Sequence, residues 1–476
     1  MKNKKNLHLA IALAISSMPL FSVAEANIYI GATVGNDYTV NASADAYPNL
    51  VGHAFGIYTN GGNASSVTTA GDRLTLITSG QAADGIRSNP SGNSDWQNAS
   101  GTINVGDDLT ITVSGNSADG LNINGSTVLN IGDNATINTL YNGELKYSNG
   151  DTSDGAHAVR ANFHATINIG DGLTAGTLGE SSHAVYAAQG RSTTNPTGGS
   201  KINIGKGAGL STAGSHTVMM ASNNGKIVIE EGAEMTTLGD GSHGVAAYAD
   251  TSAKGSVANG AVEIGAGSTI ATAGGGSHGV FANMTGSVLS LDDNVGITTE
   301  GDASHGLLAQ RGVIEAGDGL NISVEGSGSH GAYVNAATGS IEFLGGATID
   351  NNDNDGYAIY ADKGTITGTA GNSTFNITGN MYADNSGSID LDMDNNSVFT
   401  GSTALANSGT INLNLKNNSY WHVTSSSEVS SLHVSGGSMV NLSHEAGMNT
   451  VVTVDDLSGS GGVFKFNTEL DSEANG

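Results

Sequence analysis

The residues best placed to do chemistry are seven histidines: His157, His183, His216, His243, His278, His305 and His330, four of them inside a Ser-His-Gly tripeptide. An imidazole titrates near about pH 6.5, so a row of them could hold a metal or respond to pH. A metal site needs ligands that converge on one point. Residues that recur once per repeat form a line instead. The spacing therefore favours a corner ladder in which each imidazole bonds a neighbouring backbone group. Tyr357 stands in the histidine place of the next copy, which suits packing rather than ligation.

Three other patterns carry less. Gly239-Asp240-Gly241-Ser242-His243-Gly244 is superficially similar to a serine-nucleophile motif. It is one copy of the repeat, and the serine place is filled by Ser, Gly or Ala in other copies, so a triad reading is weak. Asn351-Asn352-Asp353-Asn354-Asp355-Gly356, with Asp362 twelfth from Asn351, looks like an oxygen-rich calcium loop. Its later residues belong to a strand of the repeat, and the glycine-rich nonapeptide of calcium-binding β-rolls is absent. Glycosidase or lyase chemistry would need paired carboxylates or a basic cleft. Here the acidic residues are scattered, and a pocket assembled from three coils stays open as the enzymatic alternative. No cofactor or metal is implied.

The elements that position these residues come from a repeat. An aliphatic-x-aliphatic piece, often followed by Gly, recurs as Ile103-Asn104-Val105-Gly106, Leu129-Asn130-Ile131-Gly132, Ile167-Asn168-Ile169-Gly170 and Ile202-Asn203-Ile204-Gly205, and continues to Ile411-Asn412-Leu413. The basic interval is about 25 residues, lengthened in three places by about ten, which is a solenoid period. Alternation with β-branched residues predicts strands. A second strand, such as Ser268-Thr269-Ile270-Ala271-Thr272, lies between this piece and the histidine strand. In the histidine strand, Val245 and Ala247, or Val280 and Ala282, are expected to face inward. Arg160, Tyr186, Met219, Ala246, Phe281, Leu308, Tyr333 and Tyr360 are expected to face outward. Three short strands per unit, stacked in parallel, give an all-β fold: a right-handed parallel β-helix of about fifteen coils. Gly-Asp and Gly-Asn pairs are expected to supply positive-φ corners.

Composition agrees with a thin, layered core. The 476 residues include 71 Gly, 4 Pro and no Cys, with aromatic residues at 5% and charged residues at 13%. The lack of Cys excludes disulfides, thiol catalysis and cysteine-bound zinc. A net charge of −28 argues against nucleic acid and anionic lipid as partners, which call for clustered Lys and Arg, and serves solubility.

Lys2, Lys4 and Lys5, the apolar run from Leu7 to Phe21, and the small-x-small pairs ending at Ala24 and Ala26 predict a secretory signal peptide over 1–26. A repetitive β-helix is expected over 27–409. Insertions at 88–100, 190–199 and 250–260 follow the third strand of a unit, whereas 141–151 precedes it. The first three are expected to leave one corner of the rod as candidate binding loops, with Trp96 in the first and Arg87 and Arg191 at loop bases.

From about Thr410 the pattern changes. Tyr420-Trp421-His422-Val423, Ser431-Leu432-His433-Val434-Ser435-Gly436-Gly437 and Val454-Asp455-Asp456-Leu457-Ser458-Gly459-Ser460-Gly461-Gly462-Val463-Phe464 resemble the end of the passenger domain in pertactin-like autotransporters. The resemblance covers roughly 410–470, with 471–476 a polar tail. It implies that Trp421, Leu432, Leu457, Gly459, Gly461 and Phe464 belong to a segment that helps the rod fold. It also implies export to the cell surface or beyond, and non-enzymatic adhesion or self-association. The expected partners are host-cell or bacterial surface components, including other copies of the chain. Such families continue into an outer-membrane β-barrel of about twelve strands, which has no counterpart in this sequence. Without one, the expected location is the periplasm. A passive spacer is the nearest alternative.

Overall fold

A computed structural model describes residues 33–43, 56–61, 67–80, 83–90, 100–141, 155–180, 182–188, 199–214, 219–222, 224–248, 260–351, 355–443 and 450–466. The signal-peptide region with Ala24 and Ala26 lies outside them, as do Trp96, Arg191, His216 and most of each insertion. The described residues form a parallel β-helix, right-handed as parallel crossovers require. Two sheets hold sixteen strands each, and a third holds thirteen. One strand from each sheet makes a coil, for example Ala261–Ile264, Thr269–Thr272 and Val280–Ala282 in sheets one, two and three. Sixteen layers at about 4.8 Å give a rod of about 72 Å. The third sheet stops at Thr403–Leu405, so the coil that opens at Thr410 is the first without a third-sheet strand.

The alternation in sequence is the alternation in burial. In Thr269–Thr272, Ile270 and Thr272 are buried, while Thr269 and Ala271 are not. In-register pairing puts Ile202, Ile227, Val262, Leu289, Ile314, Ile341 and Ile366 in one column. Each such side chain contributes about 1.5–3 kcal/mol through burial. The inward column of sheet three is narrower: Ala161, Ala187, Ala221, Ala247, Ala282 and Ala309 follow one another. Toward the far end the core takes larger rings, with Phe399 stacked on Trp421 at 5.6 Å.

Two expectations are corrected. Met219, expected outside, is fully buried and pairs with Val185, while Met220 pairs with Tyr186. In this coil the inward places fall at Met219 and Ala221, three and five residues after His216 where other coils have two and four, and the register places Ala221, not Met220, between Ala187 and Ala247 in the alanine column. The second correction concerns the corners between sheets one and two. There the positive φ falls two residues after the expected glycine, at Asp108, Asn134 and Gly172. The glycine itself, as in Gly106, Gly132, Gly170 and Gly205, leaves room for an aspartate of the preceding coil, whose Oδ1 a Cβ would strike. That Oδ1 accepts the amide after the glycine: Asp133 N donates to Asp107 (2.9 Å), Asp171 N to Asp133 (2.9 Å) and Lys206 N to Asp171 (2.8 Å).

The glycine of Ser-His-Gly answers to a similar limit. A Cβ on Gly306 would lie 2.5 Å from Ile322 Cγ2 and 2.6 Å from the Gly331 carbonyl oxygen, whereas a Cβ on Gly209 would meet nothing within 4 Å. Gly306→Ala should therefore lose about 1–3 kcal/mol of stability. Gly209→Ala should be neutral or gain up to about 1 kcal/mol. Urea unfolding of both variants beside the parent checks the pair.

Candidate interaction surface

The corner between sheets two and three is built from four residue types, each tied to a neighbouring coil or to its own. Threonine ends the sheet-two strand and points inward. Its hydroxyl donates to the carbonyl of the serine five residues on, in Thr177 to Ser182 (3.0 Å), Thr272 to Ser277 (2.7 Å) and Thr299 to Ser304 (2.8 Å). Serine Oγ accepts the amide of the preceding coil's serine and donates to a glycine carbonyl of that coil. Ser304 Oγ accepts from Ser277 N (2.9 Å) and donates to Gly274 O (3.0 Å). Ser242 is fully buried, and its hydroxyl donates to Gly214 O at 3.0 Å, so it is placed as a corner staple rather than an exposed nucleophile.

Histidine Nδ1 accepts the amide of the next coil: His183 N donates to His157 (3.0 Å), His278 N to His243 (3.1 Å), His305 N to His278 (3.1 Å), His330 N to His305 (3.0 Å) and Tyr357 N to His330 (3.1 Å). This is the backbone-bonded ladder that the spacing favours. Among the described residues no group of three or more His, Asp or Glu could hold a metal. The calcium-loop ends part in the same way. Asn351 is buried and donates to the Ser329 and Tyr357 carbonyls, while Asp362 sits on the outer face of sheet three and accepts from Asn385.

Aspartates take the histidine place in the earliest coils. Asp84 Oδ1 accepts Asp119 N at 2.7 Å, and Asp119 Oδ1 accepts His157 N at 2.8 Å. Their second oxygens face two guanidiniums on the outer face: Arg87 at 3.1 Å from Asp84, and Arg160 at 3.6 Å from Asp119. Burial raises both carboxyls above their ordinary range, Asp119 up to about 8, against the pull of the arginines. Arg87, expected at a loop base, thus stands in a buried charge cluster drawn from three coils.

Beside the ladder runs an outward stripe on sheet three. In-register pairing brings Asn122, Arg160 and Tyr186 into line, and later Ala246, Phe281, Leu308, Tyr333, Tyr360 and Tyr382. Arg160 lies over the Tyr186 ring at 5.7 Å. Ala246, Phe281 and Leu308 lie on the outer face yet are buried there, in an apolar cluster separate from the main core with the half-buried Tyr333 packed against it. Tyr333 and Tyr360 stack at 4.7 Å and Tyr360 and Tyr382 lie 5.1 Å apart. Burial raises the hydroxyl pKa of all three tyrosines, so they stay neutral at ordinary pH.

The strands that bound the insertions locate them. That at 88–100 is shorter than expected, because Ser88 to Pro90 continue the sheet-three strand and Ser100 opens the next sheet-one strand. It and those at 190–199 and 250–260 each follow a sheet-three strand and precede a sheet-one strand, so their bases stand at one edge of this stripe. The insertion at 141–151 lies on the opposite edge, between sheets two and three. Sequence reasoning missed the threonine and the full extent of the stripe. The threonine had a signal, a fixed spacing of five before the serine.

The C-terminal residues divide. Trp421 and Leu432 are fully buried, and Trp421 Nε1 donates to Gly401 O at 3.0 Å. Gly459 and Gly461 carry positive φ, and Ser435 bridges to Gly461. Leu457 and Phe464 pair with core residues Leu432 and Val440, yet are 57% and 38% exposed because no described coil lies beyond them. With Val454 and Phe466 they line an apolar hollow of about 490 Å³.

No known protein family matches the chain, and no curated protein matches it. The charge cluster yields a direct check. Asp119→Asn keeps an oxygen for His157 N and carries no ionisation cost. The folded carboxyl holds its proton to about pH 8, whereas the unfolded one loses it near about pH 4, so the wild type loses stability between these values. The melting temperature of the Asn variant relative to wild type should therefore improve as pH rises from 5 to 8. Asp119→Ala, which strips the acceptor from a buried amide, should cost about 1–3 kcal/mol.

Proposed function

We propose that this chain is the passenger of an autotransporter, a non-enzymatic rod that engages other surfaces, host or bacterial and including further copies of itself, through the outer face of sheet three and the insertions at its edge. The observation that carries this reading is that juxtaposition: part-exposed Arg160, Tyr186, Tyr333, Tyr360 and Tyr382 on one outer face, with the buried Ala246, Phe281 and Leu308 between them, flanked on one side by the bases of three insertions. Tyrosines and an arginine-tyrosine pair are the residue types that dominate contact energies at protein surfaces. Loops on a rigid scaffold are the usual carriers of binding. The resemblance of residues 410–470 to a passenger end supports export and display.

One observation favours an enzyme instead, since Asp84, Arg87, Asp119 and Arg160 bring carboxylates and guanidiniums from three coils to one face. Against it, both carboxylates are almost wholly buried and each has an oxygen committed to a backbone amide. That is the pattern of a structural pair.

The test displays the full chain on a non-adherent bacterium through a fused outer-membrane barrel and measures cell adhesion and aggregation. Three forms are compared: the parent, one with the insertions 88–100, 190–199 and 250–260 shortened, and one with Tyr186, Tyr333, Tyr360 and Tyr382 changed to Ser. Loss of sticking in either variant, at equal display, is the expected result. A parent that neither adheres nor aggregates overturns the reading, and cleavage of a polysaccharide by the purified rod would replace it with the enzymatic one.

A further inference from the structure

The histidine part of the ladder has a chemical weakness that the aspartate and tyrosine parts lack. Each imidazole uses the Nδ1 lone pair to hold an amide, so its single proton sits on Nε2. A second proton, at Nδ1, would set a donor against a donor. His243, His278, His305 and His330 stack in an unbroken column at 4.8 Å with planes 4° apart. Two adjacent imidazoliums would then repel across that distance in a partly dry site.

Around the column stand rings, corner hydroxyls and corner carboxylates. Phe281 meets His243 and His278 edge-on at 4.7 and 5.3 Å. Tyr333 meets His305 and His330 at 4.9 Å, and Tyr360 and Tyr357 lie beside His330. The corner hydroxyls of Ser277, Ser304 and Ser329 are engaged with backbone groups. The corner carboxylates Asp240 and Asp302 accept Gly275 N and Ser327 N at exposed positions, and Asp355, exposed in the next corner, accepts from Ser327 Oγ. The charges that bear on His305 are those of His278, His330 and His243, and each opposes its protonation.

We propose that the stretch from His243 to Tyr357 is an acid-labile element: protonation of its imidazoles releases the amides they hold and loosens the sheet-three strands between Val245 and Asp362, while coils outside it stay packed. Neighbour-only contacts in a solenoid allow such a local opening. The outer cluster of Ala246, Phe281 and Leu308 lies on these strands and would be uncovered with them.

The direction follows from burial. His278 is brought down to about 4, and His305 well below the ordinary value. The unfolded chain therefore takes up protons first as pH falls. The stabilisation is whole above about pH 6.5 and drains as pH drops toward about 4. For His278 alone the folding equilibrium at pH 4 falls by roughly a hundredfold.

The experiment is hydrogen exchange read by mass spectrometry on the full chain from pH 7.5 to 4.5, corrected for intrinsic exchange. The parent is compared with a variant in which His243, His278, His305 and His330 are all changed to Asn. Asparagine Oδ1 can accept the same amide and takes up no proton. The expected result is at least a tenfold loss of protection across 243–357 in the parent between pH 6.5 and 4.5, steady protection across 388–441, and no such step in the variant. A parent that keeps its protection at pH 4.5, or a variant with the same step, overturns the proposal. If the variant does not fold, imidazole titration of the parent by nuclear magnetic resonance decides. Rings that titrate near pH 6.5 with the surrounding signals unmoved overturn it. Rings that stay neutral until the signals of 243–357 change with them support it.

Discussion

In a stack of parallel coils every backbone amide at a corner must find its acceptor in the coil next to it or in a side chain, because no helix or hairpin is at hand to absorb it. An unmet buried amide costs about 1–3 kcal/mol, and the rod has three corners in almost every coil. The polar sequence of this protein is largely an answer to that demand. Asparagine and aspartate meet it between sheets one and two, in a run from Asn36 through Asp72, Asp107, Asp133 and Asp171. Aspartate, then histidine, with serine alongside, meets it between sheets two and three. Between sheets one and two glycine recurs beside these acceptors because the aspartate of one coil occupies the space where the next coil's Cβ would stand. At that corner glycine and acidic charge have one origin.

The same demand explains what the sequence made legible. Aliphatic columns are the loudest signal, because each coil repeats them in register, and they led directly to the three-strand coil and the rod. The histidine ladder was legible in outline, since a line of residues can be told from a converging set. The third sheet's alternation was also readable wherever the corner length was constant.

Constant spacing is what failed at His216. The inward place falls at Met219, three residues on in sequence instead of two, and a count from the histidine has no means of seeing it. The register shows it: Ala221, not Met220, is seated between Ala187 and Ala247. The displaced positive φ has a related cause. Glycine marks both close approach and left-handed backbone, and the string of letters does not distinguish them. At Gly106 and Gly132 the first reason holds, while the left-handed place two residues on is taken by Asp108 and Asn134. The outward places of sheet three were legible one by one, Met219 apart, but not as one surface, because members such as Arg160, Tyr186, Phe281 and Leu308 have no residue type in common. They share only a position on the outer face, where the pairing rule constrains the backbone and leaves the side chain free.

That freedom is where function can enter a fold of this kind. Inward columns are held by volume and corner columns by hydrogen bonding, so neither can change without a compensating change one coil away. Outward columns pay no such penalty, and a property placed there is repeated at about 4.8 Å along the rod. The column of Asn104, Asn130, Asn168 and Asn203, whose amides donate in turn at 2.8–2.9 Å, shows one use of an outward column, as a polar seam that ties coils together on sheet one. The stripe on sheet three uses its freedom differently, with part-exposed tyrosines and guanidiniums at its ends and a buried apolar cluster at Ala246, Phe281 and Leu308, in place of a closed seam. A surface of this sort gains strength by extension: each coil adds a weak contact at a fixed spacing, and the rigid core removes the entropy of aligning them. On the proposed reading the length of the rod is part of the binding device, and the thin core of one-residue columns is what makes that length attainable from so few large apolar residues.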